Sequence, residues 1–225
     1  MLRWALALTL FTGALACAGS APAPAPAPRA ADDNYLRYVA VRMPVGGESI
    51  LLRWPERQMP LKVYLPRPPD GLFEDPDAIF DSVRDGVLDW TDVAAPGIPS
   101  FEFVDDKSQA DIPVVWAAEP DGDWYIAFCA YEGHALTNRF DVSHILVTAR
   151  WGDRRVADLQ DIYDAMLHEM GHALGLAGHS PDSRDLMAPR MGRSETGLSQ
   201  RDRNTLKALY ARPIGTRILG AARER

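Results

Sequence analysis

Cysteine is almost absent: the 225 residues contain two, Cys17 and Cys129. One pair allows at most one disulfide, which excludes the cross-linked framework that holds many small exported domains together. Cys129 lies in the apolar stretch 124–130 and reads as a buried small hydrophobe rather than a reactive thiol. Positive charge is also in short supply. Twenty-four Lys and Arg face 31 Asp and Glu, giving a net charge of −7 and a pI of about 5.2. That balance argues against nucleic acid or an anionic membrane surface as the main partner and reads as a device for solubility. Long hydrophobic runs are missing too. The apolar run from Trp4 to Leu15 is too short to span a bilayer as a stable helix. No internal repeat is visible. What remains is a chain that is 47% apolar and long enough for one domain with a sizeable core.

The N-terminus reads as a targeting segment. Arg3, the apolar run and the small residues near position 16 make a secretory signal peptide over residues 1–17. Its end, Ala14-Leu15-Ala16-Cys17, resembles a bacterial lipobox, in which the cysteine becomes the lipidated first residue. Ordinary cleavage after Ala16 or Ala18 is the alternative. Residues 18–31 are Ala, Pro, Gly and Ser apart from Arg29, an extended semi-rigid spacer with no capacity to form a core. The expected location is outside the cytoplasm: a lipoprotein tethered at Cys17, on the outer membrane or cell surface, or a secreted or periplasmic protein. Membrane contact is expected only through that anchor.

A segment at 32–58 follows, with a possible strand at Ile50–Trp54, then a domain over 59–212 and a tail at 213–225. Residues 60–65 (PLKVYL) alternate and predict a strand. Asp75-Pro76 opens a helix whose apolar face is Ile79, Val83, Val87 and Trp90. Strands are predicted at Phe101–Val104, Ala110–Trp116, Trp124–Ala130 and Ile145–Ala149. Asp158 or Asp161 caps a helix running to about Leu174, stopped by Gly175, and Ser199 caps a last helix from Gln200 to Ala211. The order predicts an α+β fold: a sheet domain with a helical lower part.

The chemistry is concentrated in residues 168–179, HEMGHALGLAGH. His168 and His172 stand four apart, so a helix puts both rings on one face, one turn apart. Two such nitrogens can hold one Zn²⁺ at about 2.0–2.1 Å. Glu169 then points beside the metal and can take a proton from water there. Gly175 lets the chain leave the helix and turn back, so that His179 reaches the same metal. Three protein ligands leave a position for water, the catalytic pattern. At average residue usage, a chance match to HExxHxxGxxH in such a chain is on the order of one in 10⁵. Met187 follows eight residues after His179, in Asp185-Leu186-Met187-Ala188-Pro189.

This combination resembles the metzincin clan of zinc metalloproteases and is most similar to its matrixins, particularly compact bacterial members. Ser180 after the third histidine matches the matrixin habit; astacins usually have Glu there and adamalysins Asp. No Tyr closely follows Met187, so the extra tyrosine ligand of astacin-like and serralysin-like sites has no candidate. The resemblance spans roughly residues 50–212, but only 168–189 carry diagnostic residues. It implies a metzincin-like catalytic domain: a mixed twisted sheet, two long helices above the cleft, and a small C-terminal subdomain with the Met-turn and last helix. It implies that His168, His172 and His179 bind catalytic zinc and that Glu169 is general base and then proton shuttle. Met187 would form a floor beneath the metal without ligating it. A protein or peptide substrate would lie extended along an edge strand supplied by the stretch before Ile145. Arg190 and Met191 would help to wall the primed-side pocket. The expected activity is hydrolysis of peptide bonds in extracytoplasmic proteins by a monomer.

Two matrixin features are missing from the sequence. No propeptide cysteine occurs in 32–58 to cap the zinc. The three-histidine, one-aspartate structural zinc site lacks its His-x-Asp pair, since only His134 and His144 remain outside the motif. Asp121, Asp123, Asp182 and Asp185 could bind Ca²⁺, though such residues more often make turns. No haemopexin-like appendage is expected in the remaining length. A non-catalytic, zinc-stabilised surface binding module is the competing reading, and Glu169 argues against it. A metallohydrolase acting on a non-peptide amide is the third; Met187 and the long motif argue against that.

Overall fold

A computed structural model describes residues 33–42, 48–93, 95–119, 125–134, 136–189 and 197–218. Two short strands come first, β1 (Val41–Arg42) and β2 (Ser49–Ile50). β3 (Leu61–Tyr64), α1 (Pro76–Leu88), β4 (Phe101–Val104) and β5 (Ile112–Ala117) follow. Then come β6 (Ala127–His134), β7 (Arg139–Thr148), α2 (Leu159–Ala173), α3 (Gln200–Tyr210) and β8 (Arg217–Ile218). The architecture is α+β, as expected. The signal region with Cys17, the 18–31 spacer, Asp121, Asp123, Arg190 and Met191 lie outside the described residues.

The main sheet has five strands in the order β4-β3-β5-β7-β6. β4, β3, β5 and β7 run parallel, and β6 returns antiparallel beside β7. Among the described residues that leaves β6 at an edge of the sheet, where it packs against α2. The last two strands are longer than the expected 124–130 and 145–149. The difference lies at the outer end of their hairpin, where Glu132, His134 and Arg139 are exposed. There the polar residues break the apolar run that betrays a strand, although Phe140 and Val142 still alternate inward.

Local rules explain both long helices. Asp75 caps α1 by accepting from the Ala78 amide at 3.0 Å, and Pro76 takes the first helical position. Ile79, Val83 and Val87 are buried on its inner face. Asp158 and Asp161 form a reciprocal capping box at the start of α2. From Ala165 to Ala173 every residue of α2 is buried, so this helix is covered on all sides along its second half. Trp90, just beyond α1, donates from Nε1 to the Leu167 carbonyl at 2.9 Å and ties the two helices together.

The end of α2 depends on distant residues. Gly175 has φ = 100°, and a Cβ there would sit 2.7 Å from the Leu52 carbonyl oxygen. Glycine is therefore required twice over, by backbone conformation and by close approach. Trp54 Nε1 donates to the Ala173 carbonyl at 2.7 Å and the Tyr210 hydroxyl donates to the Leu174 carbonyl at 3.0 Å. These side chains satisfy carbonyls that the helix end would otherwise leave bare. The strand possible at Ile50–Trp54 is realised only at Ser49–Ile50. Leu51, Leu52 and Trp54 are buried instead as a docked segment, with Leu51 exchanging backbone hydrogen bonds with Gly215 and Thr216. β1, β2 and β8 make a small three-stranded sheet joining the two ends of the described chain. Among the described residues no helix is long and apolar enough to cross a membrane.

Candidate metal centre

The fold gathers His168, His172 and His179 so that one ligand atom from each lies within 4.8 Å of the others. Their ring centroids are 4.9 to 5.4 Å apart. Two of the rings are held in a defined tautomer. His168 Nδ1 lies 2.8 Å from the Leu186 carbonyl oxygen, and His172 Nδ1 lies 2.7 Å from that of Leu176. A carbonyl can only accept, so each Nδ1 carries the proton and each Nε2 keeps its lone pair for a metal. Burial pushes the His168 pKa down to about 4 and that of His172 well below the usual value, which keeps both rings neutral. Three imidazoles in this arrangement fit a zinc ion and leave room for a further ligand.

Glu169 sits one residue from the first histidine and is only 9% exposed. Its Oε2 accepts from the Cys129 backbone amide on the edge strand β6 at 2.7 Å. Desolvation raises its pKa to about 8, with the Cys129 amide pulling the other way. Burial likewise pushes the Cys129 thiol up, which keeps it protonated. A bulge between Ala130 and Tyr131 re-aims the next part of β6. The Tyr131 ring then stacks on His172 with centroids 5.9 Å apart, while its hydroxyl donates to the Ala177 carbonyl.

Met187 is completely buried beneath α2 at Gly171. Its carbonyl accepts from the Ser180 amide at 2.6 Å, which closes the 180–187 loop on itself. Asp185 accepts from the hydroxyls of Ser180 and Ser199, and Asp182 is paired with Arg184 and Arg201. Both of these Ca²⁺ candidates thus have internal partners. His134 Nε2 lies 3.1 Å from Glu132 Oε2 at the hairpin end, and His144 lies on β7 opposite Ala130, outside the three-histidine cluster. Above the centre lies a cleft of about 780 Å³ with Ile126, Phe128, Trp151 and Pro189 among its walls. Among the described residues lining it, Glu169 is the sole carboxylate and no Lys or Arg is present.

The shifted groups predict how the stability of the metal-free protein responds to pH. His168 has a depressed pKa, so its contribution is present above the unfolded value of 6.5 and is lost as pH falls through about 4. His172 acts in the same direction. Glu169 has a raised pKa, so its contribution is present below the unfolded value of 4.5 and is lost as pH rises through about 8. Two histidines outweigh one glutamate below about pH 6.5, and only the glutamate acts above it. Thermal unfolding of the metal-free protein from pH 4 to 9 should therefore show a maximum near pH 6.5. Glu169→Gln should remove the alkaline loss; an unchanged alkaline limb in that variant would contradict the assignment.

The sequence motif named the three histidines, Glu169 and Met187, and the structure clusters the histidines with Glu169 beside them and Met187 below. It did not point to Cys129, whose backbone rather than side chain meets Glu169, nor to Tyr131. It also missed Asp202, which accepts from the amides of Leu186 and Met187 at 2.9 and 3.4 Å. The one signal for Asp202 was the Ser199-x-x-Asp202 capping pattern of α3, which accounts for only part of its role.

The family model described as Matrixin matches residues 74–211, more than half the chain. No curated protein matches the chain significantly.

Proposed function

Because the chain belongs to the matrixin family of zinc metallopeptidases, we propose that it is an endopeptidase in which Glu169 is the general base, acting on proteins outside the cytoplasm. The observation that carries this reading is the placement of a buried Glu169 between the clustered histidines and the amide of an edge strand. A zinc ion held by His168, His172 and His179 would supply Lewis acidity, acidifying water and polarising a peptide carbonyl. The positive charge of such an ion would favour the carboxylate form that burial alone opposes, and Glu169 then accepts the proton from the attacking water and delivers it to the departing amine nitrogen. Its tie to Cys129 aims the carboxylate along β6. The substrate adds to the free edge of β6 in extended form, using backbone hydrogen bonds for affinity and the cleft walls for selectivity. The signal and the Ala-Pro spacer support an exported domain tethered through Cys17.

The test is to purify the whole chain, measure bound zinc, and profile cleavage of a peptide library with and without a chelator. One zinc per chain and chelator-sensitive internal cleavage are expected. Zinc without cleavage would mean a zinc-stabilised binding module, and no zinc would remove the centre itself.

A further inference from the structure

The segment at 33–39 lies upstream of the matched matrixin region, yet it is built into the domain. Tyr35, Leu36 and Val39 are 1%, 6% and 1% exposed. The Tyr35 amide donates to Thr205 Oγ1 at 3.0 Å, and Asn204 Nδ2 donates to the Asp33 carbonyl at 3.0 Å, so the segment is clamped to α3. The Tyr35 hydroxyl donates to Asp202 Oδ1 at 2.5 Å. Asp202 is wholly buried, so its carboxylate depends on the donors around it. Besides Tyr35, these are the amides of Leu186, Met187 and Ser199. Leu186 in turn offers its carbonyl to His168 Nδ1 at 2.8 Å.

The hydroxyl of Tyr35 is thus joined to His168 by a short continuous path: hydroxyl to Asp202 Oδ1, the same oxygen to the Met187 amide, and the Leu186 carbonyl of that 186–187 peptide to the imidazole. Each link fixes the orientation of the next. The charged acceptor at its centre makes the O–H···O⁻ bond one of the stronger ones available. Without it, the Asp202 carboxylate can turn about its last bond, and the 186–187 peptide that sets the His168 ring loses a fixed acceptor. Outer partners of metal-binding histidines act in this way. We propose that Tyr35 is a positioning residue for His168, and that the segment 33–39 supports the metal centre rather than being a leader to be removed from it. The link to activity rests on the peptidase reading above; the link to zinc affinity does not.

Tyr35→Phe in the full chain keeps the ring in its pocket and removes only the hydroxyl. Asn204→Ala serves as the second variant: it frees the same segment from α3 at the Asp33 carbonyl without touching Tyr35 or Asp202. Three quantities are compared: zinc Kd by competition with a chromogenic chelator, the Tm gained on adding zinc, and kcat and KM on one peptide. Tyr35→Phe should weaken zinc binding roughly tenfold, shrink the zinc-induced gain in Tm, and lower kcat with KM unchanged. Asn204→Ala should lower Tm equally in both forms and leave zinc Kd within twofold. A Tyr35→Phe protein with zinc Kd within twofold of the unmutated chain overturns the proposal, as does an equal loss of zinc in both variants, which would signal general destabilisation. An unmutated chain that binds zinc but cleaves nothing would sink the peptidase reading while the zinc comparison still decided the role of Tyr35.

Discussion

Glu169→Gln should lower kcat for peptide cleavage by roughly a thousandfold, within the 10²–10⁴ that a positioned general base contributes, while zinc stays bound. Glutamine keeps the shape of the side chain, and its amide oxygen can still accept from the Cys129 amide that now meets Oε2 at 2.7 Å. What it cannot do is take a proton from water. The fold should not suffer, because a neutral amide replaces a carboxyl that burial already holds protonated up to about pH 8 in the zinc-stripped protein. The check is a set of three measurements on one preparation: zinc stoichiometry, Tm and kcat. Cleavage within tenfold of the unmutated protein, with zinc bound, would remove Glu169 from the chemistry.

Gly171→Ala should destabilise the protein by about 2 kcal/mol and weaken zinc binding about tenfold. Helix propensity alone says the opposite, since Ala is favoured over Gly inside a helix by about 1 kcal/mol. Packing decides the sign. A Cβ at Gly171 would lie 2.3 Å from Met187 Sδ and 3.0 Å from both Met187 Cε and Trp90 Cζ2. A methionine usually yields, but Met187 and Trp90 are both completely buried, and Trp90 is pinned by its bond to the Leu167 carbonyl. Met187 therefore moves with its backbone, and that backbone neighbours Leu186, whose carbonyl orients His168. A loss of about 2 kcal/mol in a chain of this size corresponds to a fall in Tm on the order of 4–8 °C. An alanine variant that is equally stable and binds zinc equally well would mean that the turn has room to shift without consequence.

Legibility in the sequence followed the range of the interaction. Asp75, Asp158 and Ser199 were readable as caps because a cap bonds within three residues of itself. The long β6–β7 hairpin extends beyond the predicted strands because polar residues at its outer end interrupt the apolar run, leaving the alternation of Phe140 and Val142 on β7 as the one signal there. The tail residues Gly215 and Thr216 gave no hint that they pair with Leu51 across the whole length of the domain.

By itself the sequence determined which residues form the candidate metal site. His168, Glu169 and His172 lie within one helical turn of each other, so their common placement follows from helix geometry alone. Gly175 and His179 add only a short return of the chain. Tertiary structure decided everything that holds this group in a working orientation. The Cys129 amide reaches Glu169 from 40 residues away, Trp54 reaches the end of α2 from 119, and Tyr35 reaches Asp202 from 167. The first comes from sheet topology, which leaves β6 at the edge against α2. The others come from the chain ends folding back onto α2 and α3. Local spacing can specify which atoms bind a metal, because backbone geometry fixes neighbours within a turn. It cannot specify which distant backbone amide or buried hydroxyl completes the site, because that depends on how the whole core closes.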